Sequence, residues 1–372
     1  MPYRRDRTTW VAFGCLFGFG VLNAALGPAL PYLRAEEGIG YLTASIHQVG
    51  YAVGGGCAGL LTAATSRRLS RRRGIAVGLL VAAVASLGIA YGGTPVLTVA
   101  AAFVVSLAGT SALIRVWALL ADLHREHRTV AMSEGEVWVS LAGILTPLLI
   151  GAVAGTALTW RGMFLVGAVL VAATALTAAL TPLPVEARPA APAARGWRQA
   201  TLLVVVAVVA LEFSLTFWLA SYLDDEVGLG RDLAATMVSL LYAAALLGRL
   251  LVSALARRWG AAPLLVAALL LSVAGTPLLL LAPGALVAGL GIVVVGVGMG
   301  ATFPLTSSLH VQASPLRADE AVGQVLAVAA VGQVVGPLTA GVVAQVADLR
   351  TGLLVVPVLC LVALAGTRAV VR

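Results

Sequence analysis

The chain has 372 residues, of which 60% are hydrophobic and only 11% are charged. Soluble domains average about 25% charged residues, so this composition, with a mean hydropathy of +1.01, excludes an ordinary water-soluble protein. The 24 basic residues are all arginine. This excludes a P-loop nucleotide site and a lysine Schiff base, because both require a lysine.

Apolar stretches separated by charged or Gly/Pro-rich turns predict twelve membrane-spanning helices, since a spanning helix needs about 20 apolar residues. In chain order the predicted spans cover residues 9–33, 41–65, 74–91, 95–121, 130–155, 161–180, 199–223, 233–256, 261–281, 285–310, 321–346 and 351–371. The sequence therefore predicts an all-α membrane protein with an N-terminal six-helix half (1–180), a proline-rich cytoplasmic linker (181–198) and a C-terminal six-helix half (199–372).

The positions of the arginines predict the orientation, because cytoplasmic loops near helix ends retain basic residues. The arginine-rich segments 67–73 and 125–128 fall on the same side as the N-terminus, whereas the acidic residues of 36–37 and 224–232 fall on the other side. We expect both termini to be cytoplasmic and the protein to lie in the inner (cell) membrane. This topology accounts for the net charge of +8 without a nucleic-acid partner.

A repeat with a lag of about 190 residues relates the two halves. Residues Pro31–Gly40 align with Ser221–Gly230, and 143–151 align with 333–341. Two parallel six-helix halves related by an axis along the membrane normal are typical of rocking transporters, whose substrate site lies between the halves.

The segment 59–73 resembles the loop motif that the major facilitator superfamily carries between its second and third helices. Ser66 or Thr65 stands in place of the usual aspartate of that motif, and Ser70 in place of its glycine. A second, equally degenerate copy covers residues 248–260. The resemblance extends over essentially the whole chain.

Two subfamily resemblances point in different directions. Residues 212–223 and 298–305 resemble helices seven and ten of fucose-permease-like sugar/proton symporters. In contrast, Gly143-x-x-x-Pro147-x-x-x-Gly151 resembles the helix-five motif of drug/proton antiporters. The resemblance implies a proton-coupled secondary active transporter of a small organic solute that works by alternating access. Uptake of a sugar-like or other polar solute leads, and efflux of a drug or metabolite by proton antiport is the alternative.

Glu212 is the first candidate for proton coupling, because it lies near the middle of the seventh predicted span. An ionised carboxylate there costs at least about 2.5–3.5 kcal/mol, so we expect it to be neutral, paired or facing a wet cavity. A proton carrier or substrate ligand fits this position, and a structural hydrogen bond between helices is the alternative. Asn23, its neighbour by pseudo-symmetry in the first span, is a candidate substrate ligand or a packing residue.

Arg115 and Asp122 are seven residues apart on the fourth span and share one face of it. We expect Asp122 to pair with Arg67, Arg68 or Arg71 and so to close the cytoplasmic mouth.

Arg115 cannot be deprotonated and therefore needs an anion. Glu134 and Glu136 lie about 200° apart around a helix, so only one of them can face Arg115 or a central cavity. Glu136 is favoured, because the resemblance aligned on Pro147 places it at a polar cavity position. It is then a second candidate for proton coupling. Arg115 is either a substrate anchor or one partner of a structural ion pair.

Three further groups complete the predicted site. Arg249 is expected to form a structural or gating pair with Asp319 or Glu320. Gln333 is a candidate substrate contact, with packing against a neighbouring helix as the alternative, and Trp138 is a candidate substrate contact that could stack on a sugar or drug ring. The small residues and prolines of the fifth and eleventh spans are expected to be hinge or packing positions: Gly143, Pro147, Gly151, Gly336, Pro337 and Gly341.

A membrane enzyme such as a lipid-linked transferase would need longer, acid- or histidine-rich loops, so we expect no enzymatic activity. A channel or scramblase is a second alternative. The expected partners are a small-molecule substrate, protons and membrane lipid. We expect a monomer with no cofactor and no metal.

Overall fold

The computed structural model describes residues 4–66, 68–124, 127–182, 199–256, 258–314 and 318–371. The regular structure in these ranges is helical. The helices are α1 (Arg7–Asn23), α2 (Leu26–Glu37), α3 (Tyr41–Ser66), α4 (Arg71–Tyr91), α5 (Pro95–His124), α6 (Arg128–Ala154), α7 (Arg161–Leu180), α8 (Gln199–Asp225), α9 (Arg231–Leu255), α10 (Ala261–Leu280), α11 (Ala285–Ala313), α12 (Ala318–Val346), α13 (Leu349–Gly352) and α14 (Val355–Val371).

Most of these helices are long and apolar enough to cross a membrane. Eleven stretches of the described chain meet that condition by length and composition, with α1 and α2 counted together as the first. Helix α3, with 26 residues, is as long as these stretches. It is less apolar, because it carries His47, Gln48 and several hydroxyl side chains. With α3 the architecture has twelve crossings, and the predicted all-α, twelve-helix fold is confirmed.

The first crossing is interrupted, whereas the sequence predicts one continuous span over 9–33. α1 ends at Asn23 and α2 begins at Leu26. Pro28 has no N–H to bond the carbonyl of Ala24, and its ring clashes with that carbonyl in a continuous helix. The Ala24 N–H still makes the helical bond to the Gly20 carbonyl at 3.0 Å, but the Ala25 N–H bonds the Leu22 carbonyl, only three residues back, at 3.3 Å.

The helices form two compact units. The first comprises Met1–Leu26 and Gly50–Ala190, and the second Gly27–Val49 and Ala191–Arg372. The predicted halves are divided at the linker alone. The structure differs from this prediction in one segment, because Gly27–Val49 of the predicted N-terminal half belongs to the second unit. Most of the predicted linker, 183–198, lies outside the described residues, and the assignment of two functional halves stays a prediction.

Close helix contacts in the first unit depend on small residues. A Cβ atom at Gly54 of α3 would meet the backbone carbonyl of Phe103 on α5, and one at Gly78 of α4 would meet the carbonyl of Ala108. α1 packs on α6 and α7. Helix backbones that approach this closely gain dispersion contacts that a side chain would prevent.

In the second unit, α8 packs against α9, α11, α12 and α14. The contact with α12 uses the predicted packing strip, because a Cβ at Gly336 would meet the carbonyl of Ala210. Farther along α12, the Trp218 indole N–H donates to the carbonyl of Pro337 at 2.8 Å. Gly341 lies against the same indole ring. On α6 of the first unit, Gly143 and Pro147 are buried and Gly151 is half-buried.

The short helix α13 is fixed at its N-terminus by two carboxylates. Asp348 accepts the N–H of Thr351 at 2.7 Å, and Glu226 accepts the N–H of Leu349 at 3.1 Å. Hydrogen bonding to the charged form holds the pKa of the Asp348 carboxyl below its ordinary value. The turn before α13 is thereby tied to the end of α8.

Candidate functional site

The central polar feature of the second unit is an ion pair between Glu212 of α8 and Arg249 of α9. The Glu212 Oε1 and Arg249 Nη2 atoms are 3.7 Å apart, and the two side chains are 21% and 37% exposed. Arg249 Nε also donates to the carbonyl of Gly300 on α11 at 3.2 Å. This reach is possible because Gly248 brings α9 against the carbonyl of Val297.

The Glu212–Arg249 pair is open rather than saturated. A separation of 3.7 Å is longer than a hydrogen bond, and within the described ranges no donor forms a hydrogen bond to the Glu212 carboxylate. Tyr242, two turns before Arg249 on α9, interacts electrostatically with both groups. The arrangement holds one acid, one fixed cation and one phenol in the interior of α8 and α9.

The sequence interpretation placed Arg249 with Asp319 or Glu320, and the side chains of those two residues lie outside the described part of the structure. It did not pair Arg249 with Glu212. The signal was present, because each is the one charged residue in the interior of its predicted span. The sequence does not show how α8 and α9 are rotated about their axes, and this rotation decides whether the two side chains face each other.

Asn23 lies at the interruption between α1 and α2, where its side chain is exposed and accepts a hydrogen bond from the Tyr51 hydroxyl at 2.7 Å. Irregular backbone at membrane depth is tolerated where protein or a wet cavity surrounds it. The pair therefore places a carboxamide and a phenol at a break in the first crossing. Tyr51 was not among the predicted site residues.

Arg115 is almost fully buried in a cradle of hydroxyl groups and carbonyls. Its guanidinium donates to the Ser111 Oγ at 2.7 Å, the Thr65 Oγ1 at 2.6 Å and the Thr62 Oγ1 at 3.3 Å. It also lies against Gly74, where a Cβ would collide with its side chain. These contacts join α5 to α3 and α4.

The acids considered for Arg115 have different surroundings. Glu134 receives two hydrogen bonds from Arg5, at 2.6 and 2.9 Å. Glu136 is exposed and lies about 200° around α6 from Glu134. The surroundings of Glu134 and Glu136 do not test the predicted role of Glu136 in proton coupling or substrate binding, which stays a prediction.

Trp138 lies on the face of α6 that contacts α1, where three aromatic rings surround it. Its indole meets Trp10 and Phe17 edge-on, each with ring centroids 6.1 Å apart, and stacks on Phe13 at 6.4 Å. Trp10 is 49% exposed. Trp138 thus belongs to an aromatic cluster.

Gln333, another predicted substrate contact, lies on α12 and is half-buried.

Asp122 forms an ion pair with Arg71, with 2.6 Å between Oδ2 and Nη2. The Arg71 side chain is 8% exposed, so the pair is partly desolvated. Of the other two predicted partners in that loop, Arg68 is exposed and Arg67 lies outside the described residues. The pair joins the end of α5 to the start of α4, and its proposed gating role stays a prediction.

The sequence analysis did not predict two threonine–histidine pairs that the structure contains. Thr9 Oγ1 lies 2.8 Å from His124 Nε2 and donates to Asp6 Oδ1, while Thr201 Oγ1 lies 2.6 Å from His310 Nδ1. The pairs join α1 to α5 and α8 to α11, which are equivalent helices of the two halves. The repeat of a Thr and a His near the same ends was the signal that could have revealed them.

The family model of the Major Facilitator Superfamily matches residues 12–323 and 202–371 of the chain. The chain belongs to the Major Facilitator Superfamily. It is therefore an integral membrane protein of a superfamily of transporters rather than of enzymes. No curated protein sequence matches it significantly.

Solved structures share this superfamily fold. A mutant of the nucleoside transporter NupG superposes with a TM-score of 0.82 at 13% identity, covering 99% of this chain and 100% of that one. A bacterial homolog of the human lysosomal transporter Spinster gives 0.79 at 15% identity, covering 100% and 98%. A D-xylose–proton symporter gives 0.77 at 15% identity, covering 97% and 96%. At these identities the likeness shows the fold alone.

Proposed function

We propose that this superfamily member is a proton-coupled secondary active transporter that moves a small organic solute by alternating access. The observation that carries the proposal is the open Glu212–Arg249 pair, with 3.7 Å between its charged groups. An acid held in an apolar helix beside a fixed cation has two stable states. In one it is ionised and paired with the cation, and in the other it is protonated and released from the cation. Such a group can exchange a proton in step with a conformational change.

The energies of the two states are comparable, which a carrier requires. At 3.7 Å and an effective dielectric constant of about 20, the attraction is about 4.5 kcal/mol before it is reduced for the exposure of Arg249. The cost of holding a charged carboxylate at membrane depth is about 2.5–3.5 kcal/mol. Because these terms nearly cancel, a proton or a solute contact is enough to shift the population.

The solute contacts are proposed to come from side chains that are exposed or half-buried in the membrane interior. Asn23, Glu136, Trp138 and Gln333 have that exposure. A polar, sugar-like solute is favoured, because the Asn23–Tyr51 pair and Glu212 offer both donors and acceptors of hydrogen bonds. A structural role is proposed for Arg115, supported by the buried hydroxyl cradle that joins α3 and α5.

Efflux of a drug or metabolite by proton antiport is the second candidate. The rings of Trp10, Phe17 and Trp138, which are exposed or half-buried around the buried Phe13, favour it, since accessible aromatic rings bind apolar or cationic rings well. A thermal-shift series with purified protein would separate the candidates, because a bound ligand raises the unfolding temperature. Stabilisation by sugars supports symport, and stabilisation by cationic drugs alone supports antiport.

The deciding experiment is transport by the full chain in proteoliposomes with an imposed pH gradient. Accumulation of the identified solute against its own gradient, abolished by a protonophore, is the expected result. Downhill flux that ignores the pH gradient would refute proton coupling and favour a channel.

We further propose that the monomeric chain lies in the inner membrane with both termini in the cytoplasm. Cysteines at Pro182 and Glu36 should then react with a membrane-impermeant maleimide from opposite sides, above the background of the parent chain. Reaction of both from the same side would refute the orientation.

A further inference from the structure

Arg249 is held in place by contacts that do not involve Glu212. Its Nε donates to the carbonyl of Gly300 on α11 at 3.2 Å. A Cβ at Gly300 would meet the backbone carbonyl of Ala245, so α9 and α11 are in backbone contact one turn before the arginine. The guanidinium is therefore fixed on a rigid pair of helices, and it keeps its position when Glu212 changes its charge.

The Glu212–Arg249 pair is longer than the other ion pairs formed between described residues. Three arginine–carboxylate pairs have N–O distances of 2.6 Å: Arg5–Glu134, Arg34–Asp225 and Arg71–Asp122. Charge-assisted hydrogen bonds between these groups are about 2.7–2.9 Å long, and the 3.7 Å between Glu212 and Arg249 exceeds that range. Glu212 thus balances the charge of Arg249 without making a close bond to its donors.

Both side chains of the pair are accessible at membrane depth. The Arg249 side chain is 37% exposed and that of Glu212 is 21% exposed. A charged group at this depth faces protein or a water-filled cavity rather than lipid. Arg115, the other arginine inside a predicted span, is almost fully buried in its hydroxyl cradle. Of these two arginines, Arg249 is therefore the one that a solute can reach.

Charge balance decides which kind of solute can accompany the proton. Arg249 cannot be deprotonated, so protonation of Glu212 adds one positive charge to the site, whatever else the guanidinium contacts. A neutral solute would leave this extra charge inside the membrane, where it is costly. A solute with one negative charge restores the net charge of the empty site.

The shape of the guanidinium favours a carboxylate as that negative group. Its planar fork matches carboxylate and phosphate oxygens with two parallel hydrogen bonds. A phosphate monoester carries a charge of about −1.5 to −2 at pH 7, so it would leave an excess of negative charge when only one proton is bound. One carboxylate and one proton leave no excess.

We propose that Arg249 is the anchor for a solute with a single carboxylate, and that the transported class is a hydroxylated acid such as a sugar acid. This inference rests on the proposed function, because it assigns the solute that accompanies the proton on Glu212. On loading, the proton bonds to a carboxylate oxygen of Glu212, and the solute carboxylate takes its place beside the guanidinium. On release, the solute leaves, Glu212 gives up the proton, and its carboxylate returns to Arg249.

The test is the capture of a carboxylate by Glu212→Gln in the purified full chain. The variant fixes the charge state of the protonated site, so Arg249 should recruit an anion from solution. Acetate is the probe, and acetamide and chloride are compared with it at constant ionic strength and alkaline pH. The rise of the unfolding temperature with concentration gives the apparent Kd. Acetate should bind the variant roughly ten- to a hundredfold more tightly than the parent, the range for one charged hydrogen bond.

Two further variants locate the captured anion. Glu36→Gln removes the same charge from an exposed position on α2, and its Kd for acetate should stay within about twofold of the parent value. Adding Arg249→Gln to Glu212→Gln should abolish the gain. If Glu212→Gln does not fold, Glu212→Ala replaces it with the same expected result.

Four results would overturn the anchor: no gain in acetate affinity in the Glu212 variant, an equal gain for chloride or acetamide, an equal gain in Glu36→Gln, or a gain that persists without Arg249. Each of them would show that the arginine does not bind a carboxylate when Glu212 is neutral.

A transport measurement separates this inference from the proposed function. In the proteoliposomes with a pH gradient, an inside-negative potential of about 59 mV would drive a tenfold accumulation of one positive charge. Because the loaded and empty sites carry the same charge, the potential should change the accumulation of the identified solute by less than about twofold. A tenfold rise would overturn the inference and leave proton coupling intact. Acetate capture together with downhill flux that ignores the pH gradient would refute the proposed function alone.

Discussion

Replacing Glu212 with glutamine should uncouple transport from the proton while leaving the fold intact. The variant removes an attraction of about 4.5 kcal/mol at most, but it also removes the cost of about 2.5–3.5 kcal/mol for a charge at membrane depth. Arg249 keeps its hydrogen bond to the Gly300 carbonyl at 3.2 Å. The free energy of unfolding should therefore fall by no more than about 2 kcal/mol, the difference between these terms.

The transport effect should be much larger than the stability effect. With one proton carried per solute, each pH unit supplies about 1.36 kcal/mol, which sustains a tenfold accumulation. Glu212→Gln cannot release a proton, so its accumulation ratio should fall from about ten to one at a gradient of one pH unit. Exchange of labelled for unlabelled solute at equal pH should persist, because that reaction needs no net proton transfer.

The comparison variant is Glu136→Gln, which changes the second candidate acid, exposed on α6, in the same way. Because Glu136 is also a proposed solute contact, its loss should weaken the apparent affinity for the solute, but the accumulation ratio at saturating solute should stay near that of the parent chain. Full accumulation by Glu212→Gln, together with its loss in Glu136→Gln, would refute the reasoning and move the coupling site to α6. Loss of exchange as well as accumulation in Glu212→Gln would identify Glu212 as a substrate ligand first.

Two further predictions concern the packing of the first unit. Arg115→Met should lower the free energy of unfolding by about 1–3 kcal/mol, because the hydroxyl cradle loses its donor. Arg68→Met, at an exposed position, should change it by less than about 0.5 kcal/mol. Gly54→Ala should destabilise by about 1–3 kcal/mol through its clash with the Phe103 carbonyl, whereas Gly59→Ala on the same helix meets nothing within 4 Å and should be neutral or stabilising. Thermal unfolding of each variant and its control measures these changes in stability. Equal changes in Arg115→Met and Arg68→Met, or in Gly54→Ala and Gly59→Ala, would contradict the predictions.

The fold could be predicted from the sequence because the bilayer imposes a simple rule. Each crossing must satisfy its backbone within a helix, so apolar length alone located the twelve crossings. The interruption after Asn23 was missed, although Pro28 signals it. A proline in the first turn of a helix and a proline inside a bent helix look alike in sequence.

The candidate site was less predictable, because its geometry depends on the rotation of each helix. The Arg71–Asp122 contact could be anticipated, since the loop before α4 is short and the two charges lie at one end of the bundle. The Glu212–Arg249 pair was not predicted, although each is the one charged residue inside its predicted span, because the sequence does not show the rotation of α8 and α9 that turns the two side chains towards each other. The hydroxyl cradle of Arg115 shows the same limit, since Thr62, Thr65 and Ser111 converge on it only through the way α3 and α5 pack.

The interruption between α1 and α2 gives the first crossing a flexible joint. Pro28 and Pro31 leave the carbonyls of Ala24 and Gly27 without their usual intrahelical donors. A change of angle between α1 and α2 therefore costs neither helix a hydrogen-bonded turn. Helix α3 runs unbroken for 26 residues, so a sharp bend in it would disrupt such a turn. The first crossing should therefore bend more easily than the second.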